Sequence, residues 1–186
     1  MTSIIVVNFK NPPLLRLCLK TLRQNISSGF SHEIIVVDVS STVESRNVIS
    51  EFENVRSEIF KDNIGYTRGV NEGIKSSRGD MIFIINPDII PTERGIEMMA
   101  EYISKNPDVG LVGPQLLNFD GSIQNSSFRF YSPLTIIYRR TFIGRLSWAK
   151  GELRKFLLSD LDKTKIVNVD WVMGSAMIAR REACGV

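Results

Sequence analysis

Five apolar residues, Met81-Ile82-Phe83-Ile84-Ile85, run without interruption into Asn86-Pro87-Asp88. A run that short and that apolar fits a strand covered on both faces of a sheet. Proline has no N–H to give to a ladder, so the strand must stop at Pro87. Asp88 is left at the carboxyl end of the sheet, where open α/β folds take their ligands. A hard carboxylate oxygen there suits Mg²⁺ or Mn²⁺ and, through the metal, a diphosphate. A polar turn that merely ends a strand explains the same tripeptide, so the rest of the amino-terminal half has to decide.

Ser3-Ile4-Ile5-Val6-Val7 and Glu33-Ile34-Ile35-Val36-Val37 are two more short β-branched runs of the buried-strand kind. Between them Pro12-Pro13 opens a segment with Leu15, Cys18, Leu19, Leu22 and Ile26 at helical spacing and Arg16, Lys20 and Arg23 on other faces. Proline suits a first helical turn. The second run passes into Asp38-Val39-Ser40-Ser41-Thr42 and a predicted helix near 43–52. A weaker strand near 55–60 and a glycine-punctuated helix near 66–76 precede the run at Met81. Strand alternating with helix predicts an α/β fold with a mainly parallel sheet flanked by helices.

The 186 residues are enough for one domain with a substantial core, and 43% hydrophobic with 23% charged residues is a soluble globular composition. No apolar run approaches the length of a membrane span, and the start of the chain predicts no signal peptide. Cys18 and Cys184 read as buried thiols, which fits a reducing cytoplasm. With His32 the sole histidine, a His-based zinc site or Ser-His-Asp triad is hard to build. The turn after the first strand, Asn8-Phe9-Lys10-Asn11-Pro12-Pro13, has no glycine, and no GxxxxGK[ST] loop occurs. Both facts argue against a nicotinamide enzyme and a P-loop nucleotidase. Gly69 and Gly73 share one helical face, open either to close packing or to a ligand.

Six stretches, SIIVVNFKN, EIIVVDVSST, KDNIGYTRGVNEGI, RGDMIFIINPD, VGLVGPQLLNFDGSIQNSSFRF and VDWVMGSAMIARR, follow one another through most of the chain. In this order they resemble the family 2 glycosyltransferases with the GT-A fold, in particular the rhamnosyltransferase-like branch. The resemblance implies one GT-A domain, with a nucleotide-sugar-binding half at 1–113 and a partial acceptor half at 114–186. It implies an inverting transfer from a nucleotide-diphosphate sugar, with deoxythymidine-diphosphate rhamnose favoured, to a saccharide or polyprenyl-diphosphate-linked acceptor in cell-surface polysaccharide synthesis.

By the same resemblance, Asp38 hydrogen-bonds the base or ribose, and Asn8 lies where the family contacts the nucleoside. Asn63, Gly65, Asn71 and Asn86 join them on the donor side. Asp88 matches the last residue of the metal-binding triplet and Asn86 its first, so a divalent Mg²⁺ or Mn²⁺ is expected. With one charge in place of two, the site should hold metal weakly until the diphosphate adds oxygens. Asp80 precedes the strand and is expected at the far end of the sheet in a structural role. Asp170, Trp171 and Gly174 match the loop that frames the sugar pocket. For Trp171, stacking on a sugar and ordinary core packing both stand, and Asp170 either binds hydroxyls or caps the loop. Asp120-Gly121 reads as a tight hairpin turn.

The chain departs from the pattern at Lys10 and Val39, where asparagine is common. The family also continues to an acidic Glu-Asp pair that holds the general base. The sequence ends at Val186, so no catalytic base is identified and the domain is expected to be incomplete at its carboxyl end. A non-catalytic nucleotide-sugar-binding module is therefore the alternative reading. Between 133 and 158 six basic residues face one acid, Glu152, interleaved with apolar residues that include Ile143 and Trp148. Peripheral contact with the inner face of the membrane, a solvated amphipathic helix, or a face covered by a further carboxyl-terminal part each account for it. No recognition motif favours nucleic acid.

Overall fold

The computed structural model describes residues 1–159, 162 and 165–185; Val186 and the side chains of Ile143, Ser147 and Trp148 lie outside what is described. In chain order, β1 (Thr2–Asn8), α1 (Pro12–Asn25), β2 (His32–Asp38), α2 (Val43–Ser50), β3 (Val55–Ile59), α3 (Tyr66–Ser76) and β4 (Met81–Ile85) alternate strand with helix. Then come α4 (Gly95–Lys105), β5 (Leu111–Val112), β6 (Leu116–Leu117), β7 (Ile123–Gln124), β8 (Ser127–Phe128), α5 (Pro133–Arg140) and α6 (Ser147–Phe156). The last strands are β9 (Trp171–Val172) and β10 (Ala176–Arg180). By contacts the chain divides into one unit of residues 1–112 with 174–186 and another of 113–173.

In the first unit a six-stranded sheet has the order β3-β2-β1-β4-β10-β5. β1 is parallel to β2 and β4, with Asn8 opposite Asp38 and Val6 opposite Ile85, while β10 is antiparallel to both β4 and β5. The order runs outward from β1 through β2 to β3, then reverses to β4. That reversal makes the β1/β4 boundary a topological switch point, and open α/β sheets take their ligands outside the carboxyl ends of the strands at such a point.

Right-handed crossovers leading in opposite directions put α3 on the face opposite α1 and α2. The alternation of the strands serves both faces. Ile5, Val7, Ile35, Val37, Ile82 and Ile84 form one buried cluster with Ile74 of α3. Ile4, Val6, Phe83 and Ile85, also buried, point the other way. On α3, a Cβ at Gly69 would lie 2.5 Å from Val39 Cγ1, and one at Gly73 2.5 Å from Ile5 Cγ2. The two glycines are thus the packing face that lets the helix backbone lie against the sheet.

Residues 113–173 are built on a smaller scale. β6 and β7 form a hairpin around Gly121, whose φ is +80°, as the Asp120-Gly121 pair predicts. β8 pairs with β9, and its Phe128 stacks on Trp171 at 4.4 Å and on Phe156 of α6 at 5.4 Å. Both cysteines are free thiols, Cys18 buried and Cys184 half-buried. No helix among the described residues is long and apolar enough to cross a membrane.

Candidate functional site

Asn8 ends β1 and Asp38 ends β2, and both are 0% exposed. The Asn8 amide donates to Asp38 Oδ1 at 2.9 Å, and the hydroxyl of Ser45, in the first turn of α2, donates to Asp38 Oδ2. Ser45 is held there by a capping box with Thr42, which also satisfies the start of the helix. Each carboxylate oxygen of Asp38 thus accepts one hydrogen bond inside the protein, which fixes the side chain's orientation. Asn8 Oδ1 is buried and without a protein partner.

The loops beyond these strand ends are stitched together through the backbone. The N–H of Val39 donates to the Asn8 carbonyl at 3.0 Å, and the N–H of Ile64 to the Val39 carbonyl at 3.2 Å. The Asn63 side chain accepts from the Gly65 N–H at 2.9 Å, a short Asx turn. Gly65, at φ +80°, then opens α3 with no side chain capping its first amides. Beside β4, the Asn86 N–H donates to the Ser175 carbonyl at 2.8 Å. The Asn86 side-chain oxygen, like that of Asn8, is buried and unpartnered.

Asp88 is exposed at the mouth of this arrangement. Burial, and after it the negative charge of Asp88, raises the Tyr66 phenol above its usual pKa. The same two causes, burial first, push the Cys18 thiol up to about 12 and leave it inert. The charge of Asp88 is thus felt both in the middle of α1, at Cys18, and at the first residue of α3, Tyr66. The Tyr66 hydroxyl donates to the Gly174 carbonyl at 2.8 Å, which fixes the residue just before Ser175.

Asn8, Asp38, Asn63, Gly65, Asn86, Asp88 and Gly174 therefore gather around the carboxyl ends of β1, β2 and β4. Asn71 does not join them. It is exposed, and it lies about 200° around α3 from each sheet-facing glycine. Asp80 sits at the other end of β4, against the amino-terminal ammonium at 3.3 Å. Asp170 and Trp171 belong to residues 113–173. There the Asp170 carboxylate accepts from the Phe130 N–H at 2.8 Å and pairs with Arg129. The Trp171 indole N–H donates to the Arg129 carbonyl at 3.0 Å.

Sequence reasoning missed Ser45, Tyr66 and Ser175. The Thr42-x-x-Ser45 spacing is a readable capping signal, but nothing local shows that Ser45 also reaches Asp38. Tyr66 and Ser175 act through partners far along the chain.

Among the described residues no cluster of three His, Cys, Asp or Glu side chains is placed to hold a metal. The available donors are the exposed Asp88 carboxylate and the orphaned amide oxygen of Asn86. A hard cation that keeps waters and takes one carboxylate with substrate phosphates fits such a set. A thiolate- or imidazole-binding metal does not.

The pattern of the family described as "Glycosyl transferase family 2" matches residues 3–182. Over 168 residues the chain is 23% identical to the poly(ribitol-phosphate) beta-N-acetylglucosaminyltransferase TarP of Staphylococcus aureus (strain N315), covering 88% of this chain and 51% of TarP. It thus spans about half the length of that curated relative. S. aureus TarS 1-349 in complex with UDP-GlcNAc superposes with a TM-score of 0.58 at 18% identity, over 74% of this chain and 42% of that one. The mannosyltransferase PcManGT from Pyrobaculum calidifontis, in complex with GDP-Man and Mn²⁺, gives 0.57 at 17% identity, over 63% and 35%. With its mainly parallel sheet, its GT-A neighbours and a family match across nearly its whole length, the chain belongs to glycosyl transferase family 2.

Proposed function

We propose that this chain binds a nucleotide-diphosphate sugar at the β1/β4 switch point and serves an inverting sugar transfer. The observation that carries this reading is the pairing of an exposed Asp88 with the orphaned Asn86 oxygen at the carboxyl end of a parallel sheet. The acceptor is a saccharide or a lipid-linked saccharide of cell-surface polysaccharide synthesis, and contact with a membrane through 133–158 accompanies a lipid-linked acceptor. Rhamnose as the transferred sugar rests on sequence resemblance. The UDP-GlcNAc and GDP-Man bound by the neighbours are its competitors in the test below.

In such a transfer the acceptor hydroxyl attacks the anomeric carbon from the face opposite the departing nucleotide, through a transition state of oxocarbenium character. Asp88 and Asn86 would hold a divalent cation, which would supply charge neutralisation to the departing diphosphate. Asn8 and Asp38, locked by Ser45, form a rigid floor beside the nucleoside. Asn63 shapes the turn that leaves Gly65 and the uncapped first amides of α3 free for phosphate oxygens. Tyr66 holds Gly174 in place, and the sugar-pocket roles of Asp170 and Trp171 rest on family resemblance.

The test is a thermal-shift screen of UDP, GDP and dTDP and their sugars, with and without Mn²⁺, on this chain and on Asp88→Ala. A ligand bound only by the folded state at a hundred times its Kd adds about 2.7 kcal/mol, a clear rise in Tm. A Mn²⁺-dependent rise that Asp88→Ala abolishes is expected. A rise unchanged in the variant would remove Asp88 from the site, and release of nucleoside diphosphate on adding acceptor separates transfer from binding alone.

A further inference from the structure

α5 is turned inside out with respect to its composition. Its buried positions are Thr135, 1% exposed, and Tyr138. The aliphatic Leu134, Ile136 and Ile137 are about half exposed, and Phe142 and Leu146, just beyond the helix, are exposed too. A polar seam fixes this orientation. Ser132 caps the helix by accepting from the Thr135 N–H at 3.1 Å, and its hydroxyl pairs with the Thr135 hydroxyl at 2.9 Å and with Glu152 of α6 at 3.3 Å. Rotating α5 to hide its aliphatics would break that seam and strand Thr135.

The charges around this apolar face are of one sign. Arg139, Arg140, Arg145, Lys150, Arg154 and Lys155 are all exposed, and the one acid of the segment, Glu152, is half-buried against Ser132. Arg139 is braced over the rings of Tyr131 and Phe156, at 5.6 and 5.3 Å. A second copy of the chain is a poor occupant, because six cations would meet six. Nucleic acid would answer the cations but leave the aliphatics in water.

We propose that this surface seats on an anionic lipid bilayer, with Leu134, Ile136, Ile137 and Phe142 in the headgroup–acyl boundary and the arginines and lysines on lipid phosphates. The inference deepens the proposed function by supplying the surface that a lipid-linked acceptor calls for. It rests on that reading only for the nature of the acceptor, since the surface lies wholly within residues 113–173.

The experiment is co-sedimentation of the chain with vesicles of phosphatidylcholine, alone or mixed with phosphatidylglycerol. Binding is expected only with phosphatidylglycerol and should weaken as salt rises. Ile137→Asp should lower it by about tenfold, and Arg140→Gln and Lys150→Gln by about fivefold each. Equal binding to neutral vesicles, or variants that bind like the parent, would overturn the proposal. So would a dimer in solution that Ile137→Asp dissociates. If Ile137→Asp lowers the melting temperature, the two charge variants, at exposed positions, decide. Asp88→Ala should bind vesicles as the parent does, so failure of the nucleotide site and failure of this surface are read separately.

Discussion

The sheet unit and residues 113–173 use the same amino-acid alphabet to opposite effect. In β1 all seven residues are buried, including Thr2, Ser3 and Asn8. In 113–173 the strands are two residues long, and Phe119, Phe130 and Phe142 stand largely in solvent. The difference shows where each unit gets its order. Long parallel strands bury side chains on both faces at once, so every position is constrained. Two-residue strands cannot do this, and order there comes from a few rings, Phe128, Trp171, Tyr131 and Phe156, with Arg139 laid over two of them.

That contrast can be broken by substitution. Ile35→Ala, at a fully buried position of β2, should cost about 4 kcal/mol in urea denaturation, while Phe130→Ala should stay within about 0.5 kcal/mol. If the two costs were similar, order would not be distributed as described. Gly73→Ala should cost about 2 kcal/mol, since its Cβ would meet Ile5 at 2.5 Å and Val37 at 3.1 Å.

Glu33, at the start of β2, sharpens the contrast by pH. Burial works to raise its pKa, but hydrogen bonds from Ser3 and the Arg78 N–H, and the nearby Arg56, outweigh it, and the net shift is downward. A depressed folded pKa means that its stabilisation is complete above the unfolded value of about 4.3 and is lost as pH falls through the folded one. Glu33→Gln should therefore cost about 1.5 kcal/mol at neutral pH and nothing in acid below the folded pKa, in paired denaturation curves. A gain rather than a loss is expected in the other unit. Gly151 of α6 has open space where a Cβ would go, so Gly151→Ala should raise stability by about 0.8 kcal/mol.

What was legible in the sequence follows the same division. The apolar runs at Ser3, Glu33 and Met81 mark β1, β2 and β4, and the Pro12-Pro13 start and Leu15-Cys18-Leu19-Leu22 stripe mark α1, because each is a local pattern. The helix α4 also carries such a stripe at Ile96, Ala100 and Ile103, so it could have been read. β10 could not: its antiparallel place between β4 and β5 is set by partners far along the chain. At the site, Asn86-Pro87-Asp88 announces its own position, and helical phase alone sets Asn71 apart from Gly69 and Gly73. The closure of Asp38 by Ser45, and of Gly174 by Tyr66, are tertiary facts that no spacing encodes.

The place of β10 in the sheet has a kinetic consequence. Its Ala176 pairs with Ile85 of β4, about ninety residues earlier, and the loop that this pairing closes includes α4, β5 and the whole of 113–173. Closing so long a loop comes before any of its contacts can reward it, so docking of β10 is expected to be the slow step of refolding. The entropy of closure grows only with the logarithm of length, about 0.6 kcal/mol for each doubling. The excursion can therefore lengthen or shorten among related chains at little cost to the finished sheet, with refolding rate the quantity that registers the change.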